Sequence, residues 1–347
     1  MANPTTFIQM MNTIRDSASA LYQERVPVAT RENFKNTGYA VMAQPATQNE
    51  FLDNYINKVA VVEAQGLRWK NKLAALKKGT KPYGSVIEET YVNPASAVAF
   101  NGSVVDDMLK VTKPDVKTIY HETNRRDKYS VSISNAQLRE AFTSPEAFGS
   151  FHQTVINSLY VGDEWDEYLH TRNLIADAIA EGKIKSVTVD YNGDDETSCK
   201  KLVKAIKTLS GDFEFPSKDF NGYNELNKDA IAAGTITASV TACPRSKQVL
   251  LIRNDVDVNT DVEVLAKAFN MSKTDLLQRK IVVDTFGDTD TLCVLCDEGI
   301  FKIYDELYEV RSFSNGSNLT DNYWLHHWQL LSISLFGNAM AIKQATV

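Results

Sequence analysis

The sequence predicts an α+β chain in which helices, a long hairpin and one very long helix precede an α/β insertion and a strand-rich return. Three observations carry this. Phe148, Phe151, Val155, Leu159, Gly162, Trp165 and Leu169 recur every three or four residues, the spacing of one helical face, and continue through Ile175, Ala178 and Ile179. Val86 to Phe100 and Val116 to Ile133 are strand-like stretches joined by a polar, turn-rich interval. Beyond residue 185 short apolar strands alternate with helical patterns.

Element by element, Phe7, Ile8, Met11, Ile14, Ala18, Leu21 and Tyr22 predict a helix after Pro4. Residues 25–47 lose that period, carry Pro27, Gly38 and Pro45, and read as an extended arm or loop. A second helix runs from Asn49 with Phe51, Leu52, Tyr55, Ile56 and Val59 on one face, and a third covers Leu67 to Leu76, stopped by Lys77-Lys78-Gly79. The hairpin of residues 86–133 is rich in charge and cannot bury both faces in its own core, so it reads as an arm that finds a partner on another chain. Ser144-Pro145-Glu146 supplies an N-cap, a first-turn proline and an acidic first turn. The helix that follows, about 146–182, is roughly 55 Å long if continuous, with Gly162 as a candidate kink. Ser186 to Tyr191, Gln248 to Arg253, Lys280 to Asp284 and Thr291 to Cys296 read as strands, Thr197 to Leu209 as a helix, and Thr260-Asp261-Val262-Glu263 as a capping box opening a helix through Phe269. Ile300 to Ile342 is strand-rich, with Tyr323, Trp324, Trp328 and Phe336.

With 43% hydrophobic and 23% charged residues over 347 positions, the chain is long enough for one large core or two smaller ones. No run of about 18 or more apolar residues occurs, which argues against a membrane span. The N-terminus lacks a basic region followed by an apolar core, so no secretory signal is expected. Four scattered cysteines make no disulfide framework. A net charge of −7 argues against a protein that grips nucleic acid through its phosphates.

The motifs that carry chemistry are weak. Cys293-Val-Leu-Cys296 lies in a strand pattern, where residues three apart face opposite ways, so two buried thiols are the expectation. Glu167-Tyr-Leu-His170 has di-iron spacing, but such sites need a second copy; together with Asp163, Glu164 and Asp166 it reads as solvated charge on a long helix. The run from Asp255 to Asp261 begins like a calcium loop, yet Thr260 and Ala266 stand at its glycine and glutamate positions, and strand alternation into a helix cap accounts for it. His326 and His327 diverge on a strand, and packing beside Trp324 and Trp328 is the expected role. No phosphate-binding loop, nucleophile elbow or zinc-protease motif is present. No catalytic, cofactor or metal residue is assigned, and an enzymatic role is not expected.

The order of parts resembles the major capsid proteins of tailed bacteriophages, the Hong Kong 97-type shell fold. Gly84-Ser-Val-Ile-Glu-Glu-Thr-Tyr-Val-Asn-Pro-Ala-Ser-Ala, Tyr129-Ser-Val-Ser-Ile-Ser with Leu138-Arg-Glu-Ala-Phe, and Asn322-Tyr-Trp-Leu-His-His-Trp-Gln are similar to the small-podophage branch. The resemblance implies an N-arm and helices at 1–85, an extended hairpin loop at 86–133, a peripheral domain at 134–185 and 305–347 containing the spine helix, and an axial domain at 186–304. It implies a structural subunit of an icosahedral shell of pentamers and hexamers around double-stranded DNA, assembled in the host cytoplasm, without cofactors or membrane contact. A portal is implied, and so is a separate scaffolding protein, since no such segment precedes residue 1. Maturation by subunit rotation, with bending of the long helix, belongs to the same picture. On this reading Lys110, Lys113, Arg125, Arg126 and Lys128 of the hairpin lie over acidic surface of a neighbouring subunit. Three alternatives stay open: an encapsulin-type nanocompartment shell, a soluble α/β enzyme with a dispersed site, and another virion protein such as a tail-tube subunit.

Overall fold

The computed structural model describes residues 4–59, 69–97, 111–134, 145–193, 196–260, 279–317 and 320–345. Four N-terminal helices come first: α1 (Pro4–Ser17), α2 (Ala20–Arg25), α3 (Phe34–Met42) and α4 (Pro45–Val59). After the short strand β1 (Gly79–Thr80), β2 (Ile87–Val92) and β3 (Val116–His121) pair antiparallel. Strand β4 (Arg125–Ser134) leads towards α5 (Pro145–Ala180), 36 residues and so about 54 Å of helix. Gly182, at φ 75°, takes the left-handed conformation that ends it. Then come β5 (Lys185–Val189), α6 (Glu196–Asp212), α7 (Gly222–Leu226), α8 (Lys228–Ala232), β6 (Gln248–Arg253), α9 (Asn254–Thr260), β7 (Lys280–Val283), β8 (Thr291–Asp297), β9 (Phe301–Asn315), β10 (Thr320–Ile333) and β11 (Ala339–Gln344). The strands form one sheet ordered β1-β9-β10-β4, one ordered β5-β11-β8-β6-β7, and the β2–β3 ribbon.

The chain divides into two compact units, and α5, β4, β9 and β10 contribute residues to both. Unit 1 comprises Met1–Asn71, Arg126–Glu167 and Leu307–Trp328. Its core joins Met11, Ile14, Tyr22, Phe34, Val41 and Phe51 of the N-terminal helices to Ile133, Leu159, Tyr323 and Leu325. Unit 2 comprises Lys72–Arg125, Tyr168–Glu306 and Gln329–Val347. Its core is the five-stranded sheet with α6 and α9 against it: Leu250, Ile252, Leu292, Cys293, Leu295 and Ile342 meet Cys199, Leu202, Ile206 and Val256. Strands β6 and β8 are apolar on both faces because both are covered, which explains their unbroken runs of Val, Leu, Ile and Cys.

Three local expectations are corrected. Residues 34–42 are helical, not extended: Phe34, Val41 and Met42 are buried in the core of unit 1, and that burial outweighs the cost of Gly38 in mid-helix. The run from Asn254 to Thr260 is helix α9, not strand alternation; Thr260 bonds back to the Val256 carbonyl at 2.7 Å as its last residue, not as an N-cap. The capping-box helix expected after it falls in residues 261–278, outside the described residues. The hairpin is shorter than 86–133, because Arg125–Ser134 leaves it and joins a different sheet.

Candidate assembly surface

The ribbon β2–β3 has two unlike faces. Glu88↔Tyr120, Thr90↔Thr118 and Val92↔Val116 are directly opposed pairs, and all six residues are exposed. Tyr120 is 63% exposed, a large aromatic surface for a residue outside any core. The other face is held within unit 2. Tyr91 stacks on Phe336 with ring centroids 5.2 Å apart and donates its hydroxyl to the Val240 carbonyl. Asn93 donates to the Ala238 carbonyl at 2.8 Å and accepts from the Val240 N–H at 3.1 Å. Lys117 is buried, pairs with Asp115 at 2.9 Å and lies 5.3 Å from the Tyr223 ring centroid. His121 bonds Ser332 and Glu89, at 2.8 and 3.1 Å.

One carboxylate gathers both legs of the ribbon at its root. Glu306 accepts from the Gly84 N–H at 2.8 Å, just before β2, and from the Thr123 hydroxyl, just after β3. Lys81 completes the group at 2.9 Å. Burial by itself would raise this carboxyl's pKa; the Thr123 hydroxyl, the Gly84 N–H and the Lys81 ammonium outweigh it and bring the pKa to about 2. The ribbon is thus tied to its own subunit along one face and at its root, while the other face is presented outward.

Comparison with known proteins identifies the kind of chain that carries this ribbon. The profile of the Phi29-like phage major capsid protein family matches residues 11–343. The chain belongs to this family. The major capsid protein of Bacillus phage B103 is 31% identical over 97% of this chain and 73% of its own length. That of Bacillus phage PZA is 29% identical over 99% and 74%. The solved capsid of Staphylococcus phage Andhra superposes with a TM-score of 0.64 over 82% of this chain and 86% of the other, at 14% identity, which speaks to the fold alone. The protein is therefore a structural subunit of a phage head, and its place is the virion shell. Among the described residues no helix is long and apolar enough to cross a membrane.

The basic residues singled out in the capsid subunit separate. Lys110 lies outside the described residues. Lys113 is exposed beside β3, and Lys128 is exposed on β4. Arg126 is also exposed, with its guanidinium 4.9 Å from the Trp328 ring centroid. Arg125 is a correction: it is 4% exposed and donates to the Gln329 side chain at 2.5 Å, so its charge is engaged within its own fold.

Among the other motifs, Cys293 and Cys296 are both buried free thiols, with burial pushing Cys293 up to about 12. The acidic stretch on α5 departs from the solvated face expected: Asp163 and Glu167 are buried, and so is His327. Packing beside tryptophan does not account for that histidine, since its Nδ1 meets Asp163 Oδ1 at 2.6 Å. Nothing local in the sequence marks this pairing, because its members lie 164 residues apart.

Proposed function

We propose that the outward face of the β2–β3 ribbon is where one subunit docks on the next, in an icosahedral shell of pentamers and hexamers enclosing double-stranded DNA. The observation that carries this is the exposed row of Val92, Val116 and Tyr120 on a ribbon whose opposite face is tied to its own subunit. An aromatic and β-branched row of this kind is stable in water only at a modest cost, and burying it against a neighbour recovers about 25 cal/mol per Å². Lys113, Arg126 and Lys128 supply cationic contacts for acidic surface next door, in keeping with a subunit of net charge −7. That same charge favours DNA contained by the wall over DNA bound to it.

In the terms of the Hong Kong 97-type fold, the extended loop is the part of 86–133 that precedes Arg125, the long helix is the spine, 186–304 is the axial domain, and 134–185 with 305–347 is the peripheral domain. Many weak copies of one contact then close a large shell. The role is structural throughout and involves no catalysis. A scaffolding protein and a portal are its partners, and assembly takes place in the host cytoplasm.

Tyr120→Glu combined with Val116→Glu tests the docking face. Both side chains are exposed, so the subunit should keep its thermal midpoint within a few degrees while shells vanish from electron micrographs and sedimentation profiles. Deleting residues 102–114 is the companion test. Normal shells from both variants would refute the reading.

A further inference from the structure

We propose that Asp163, Glu167 and His327 form a binding site for one divalent d-block ion, zinc or manganese. The three side chains come from two elements of unit 1. Asp163 and Glu167 stand four residues apart on α5, which puts both carboxylates on one face of the helix. His327 comes from β10. One donor atom from each lies within 4.8 Å of the other two. Relative exposure is 2%, 6% and 0%, so this is a buried group and not a solvated acidic surface.

Charge decides what the group suits. Burying a carboxylate costs several kcal/mol unless its charge is met. A fully protonated imidazole cancels one of the two carboxylates and leaves the trio at −1. A divalent ion with a neutral imidazole brings it to zero. Geometry agrees: bonds of about 2.0–2.2 Å in a tetrahedral arrangement put donor atoms roughly 3.4 Å apart. That value lies between the 2.6 Å of His327 Nδ1 to Asp163 Oδ1 and the 4.8 Å limit of the group. Reaching that spacing asks for changes of at most about 1.4 Å in the separation of any two donor atoms. The proton shared by Nδ1 and Oδ1 leaves to solvent, and the ion takes its place between those atoms.

One imidazole nitrogen with two carboxylate oxygens favours zinc or manganese over calcium and magnesium, which prefer all-oxygen shells. The Tyr308 ring stands edge-on to His327 with centroids 4.8 Å apart and packs against the imidazole. The bound ion would staple α5 to β10 within unit 1.

The test uses the full chain, purified, stripped with chelator and confirmed folded by circular dichroism. It is titrated with ZnCl2 and, separately, MnCl2 by calorimetry in two buffers, with bound metal counted by mass spectrometry. The expected result is one zinc per chain, a raised thermal midpoint, and a buffer-dependent heat from proton release. Glu167→Gln and Asp163→Asn should each weaken zinc binding at least tenfold. All four cysteines remain in both variants, so binding to thiols would survive in them. Cobalt(II) gives an independent readout even if a variant folds poorly: visible bands without sulfur-to-metal charge transfer identify a nitrogen and oxygen shell. Wild-type protein that binds no zinc or manganese, or binds as tightly in both variants, would overturn the proposal and leave an Asp–His pair sharing a proton.

Discussion

Glu306→Gln tests the root of the ribbon, where one buried carboxylate meets Lys81, Gly84 and Thr123. The Lys81 and Glu306 side chains are 3% and 2% exposed, and their charged atoms lie 2.9 Å apart. Removing one partner of a buried pair typically costs 3–5 kcal/mol, because the other charge stays buried without compensation. The pH dependence gives a second measure. A carboxyl held at about 2 instead of its ordinary 4.5 corresponds to about 3 kcal/mol of stability. The folded-state value lies below the unfolded one, so this contribution is complete above pH 4.5 and lost as pH falls from 4.5 towards 2. Urea unfolding of unassembled subunits should show Glu306→Gln about 3 kcal/mol less stable than wild type at pH 7, with a flatter dependence on pH below 4.5. Lys81→Met should lose a similar amount. Both variants should also be cut faster by trypsin at Lys113 and Lys117, since the ribbon is the first segment released. A Glu306→Gln variant within 1 kcal/mol of wild type at pH 7, with the acid slope unchanged, would refute the account.

Other expectations are simpler. Cys199, Cys243, Cys293 and Cys296 are all buried, and burial pushes Cys243 and Cys293 up to about 12, so a thiol reagent at pH 8 should find no fast-reacting sulfur in the native subunit and all four in denaturant. Gly162→Ala places its new methyl no closer than 3.6 Å to the Tyr129 ring; it should stabilise the subunit by about 0.5–1 kcal/mol in a melt, and a destabilised variant would show that the position needs its glycine. Leu250→Ala, at the centre of β6 in the core of unit 2, should cost about 2–5 kcal/mol in urea unfolding.

What was legible in the sequence was what neighbouring residues decide among themselves. The long helix announces itself by a proline in its first turn, an apolar face repeated over about nine turns and a glycine just beyond its end, all local devices. Strands β6 and β8 show as short unbroken apolar runs. Helix α3 was hidden because Gly38 and the β-branched Thr37 and Val41 weaken its intrinsic preference, and burial from elsewhere in unit 1 holds it. In α9 two valines alternating with acids gave a false period of two. The polar run from Glu122 to Lys128 shows no break that would separate Arg125 from the hairpin, because strand pairing is chosen by distant partners and not by the run itself.

The sequence by itself determined the class of the chain, the order of its parts and the position of its longest helix, because helical periodicity, caps and apolar runs are properties of adjacent residues. Only the tertiary structure decided which charges are surface and which are interior. Asp163 and Glu167 look like any solvated pair on a helix until β10 brings His327 against them, and Glu306 looks like one acid in an acidic strand until two ends of a ribbon converge on it. A carboxylate's character is set by what surrounds it in space, and that is not written in its neighbours along the chain.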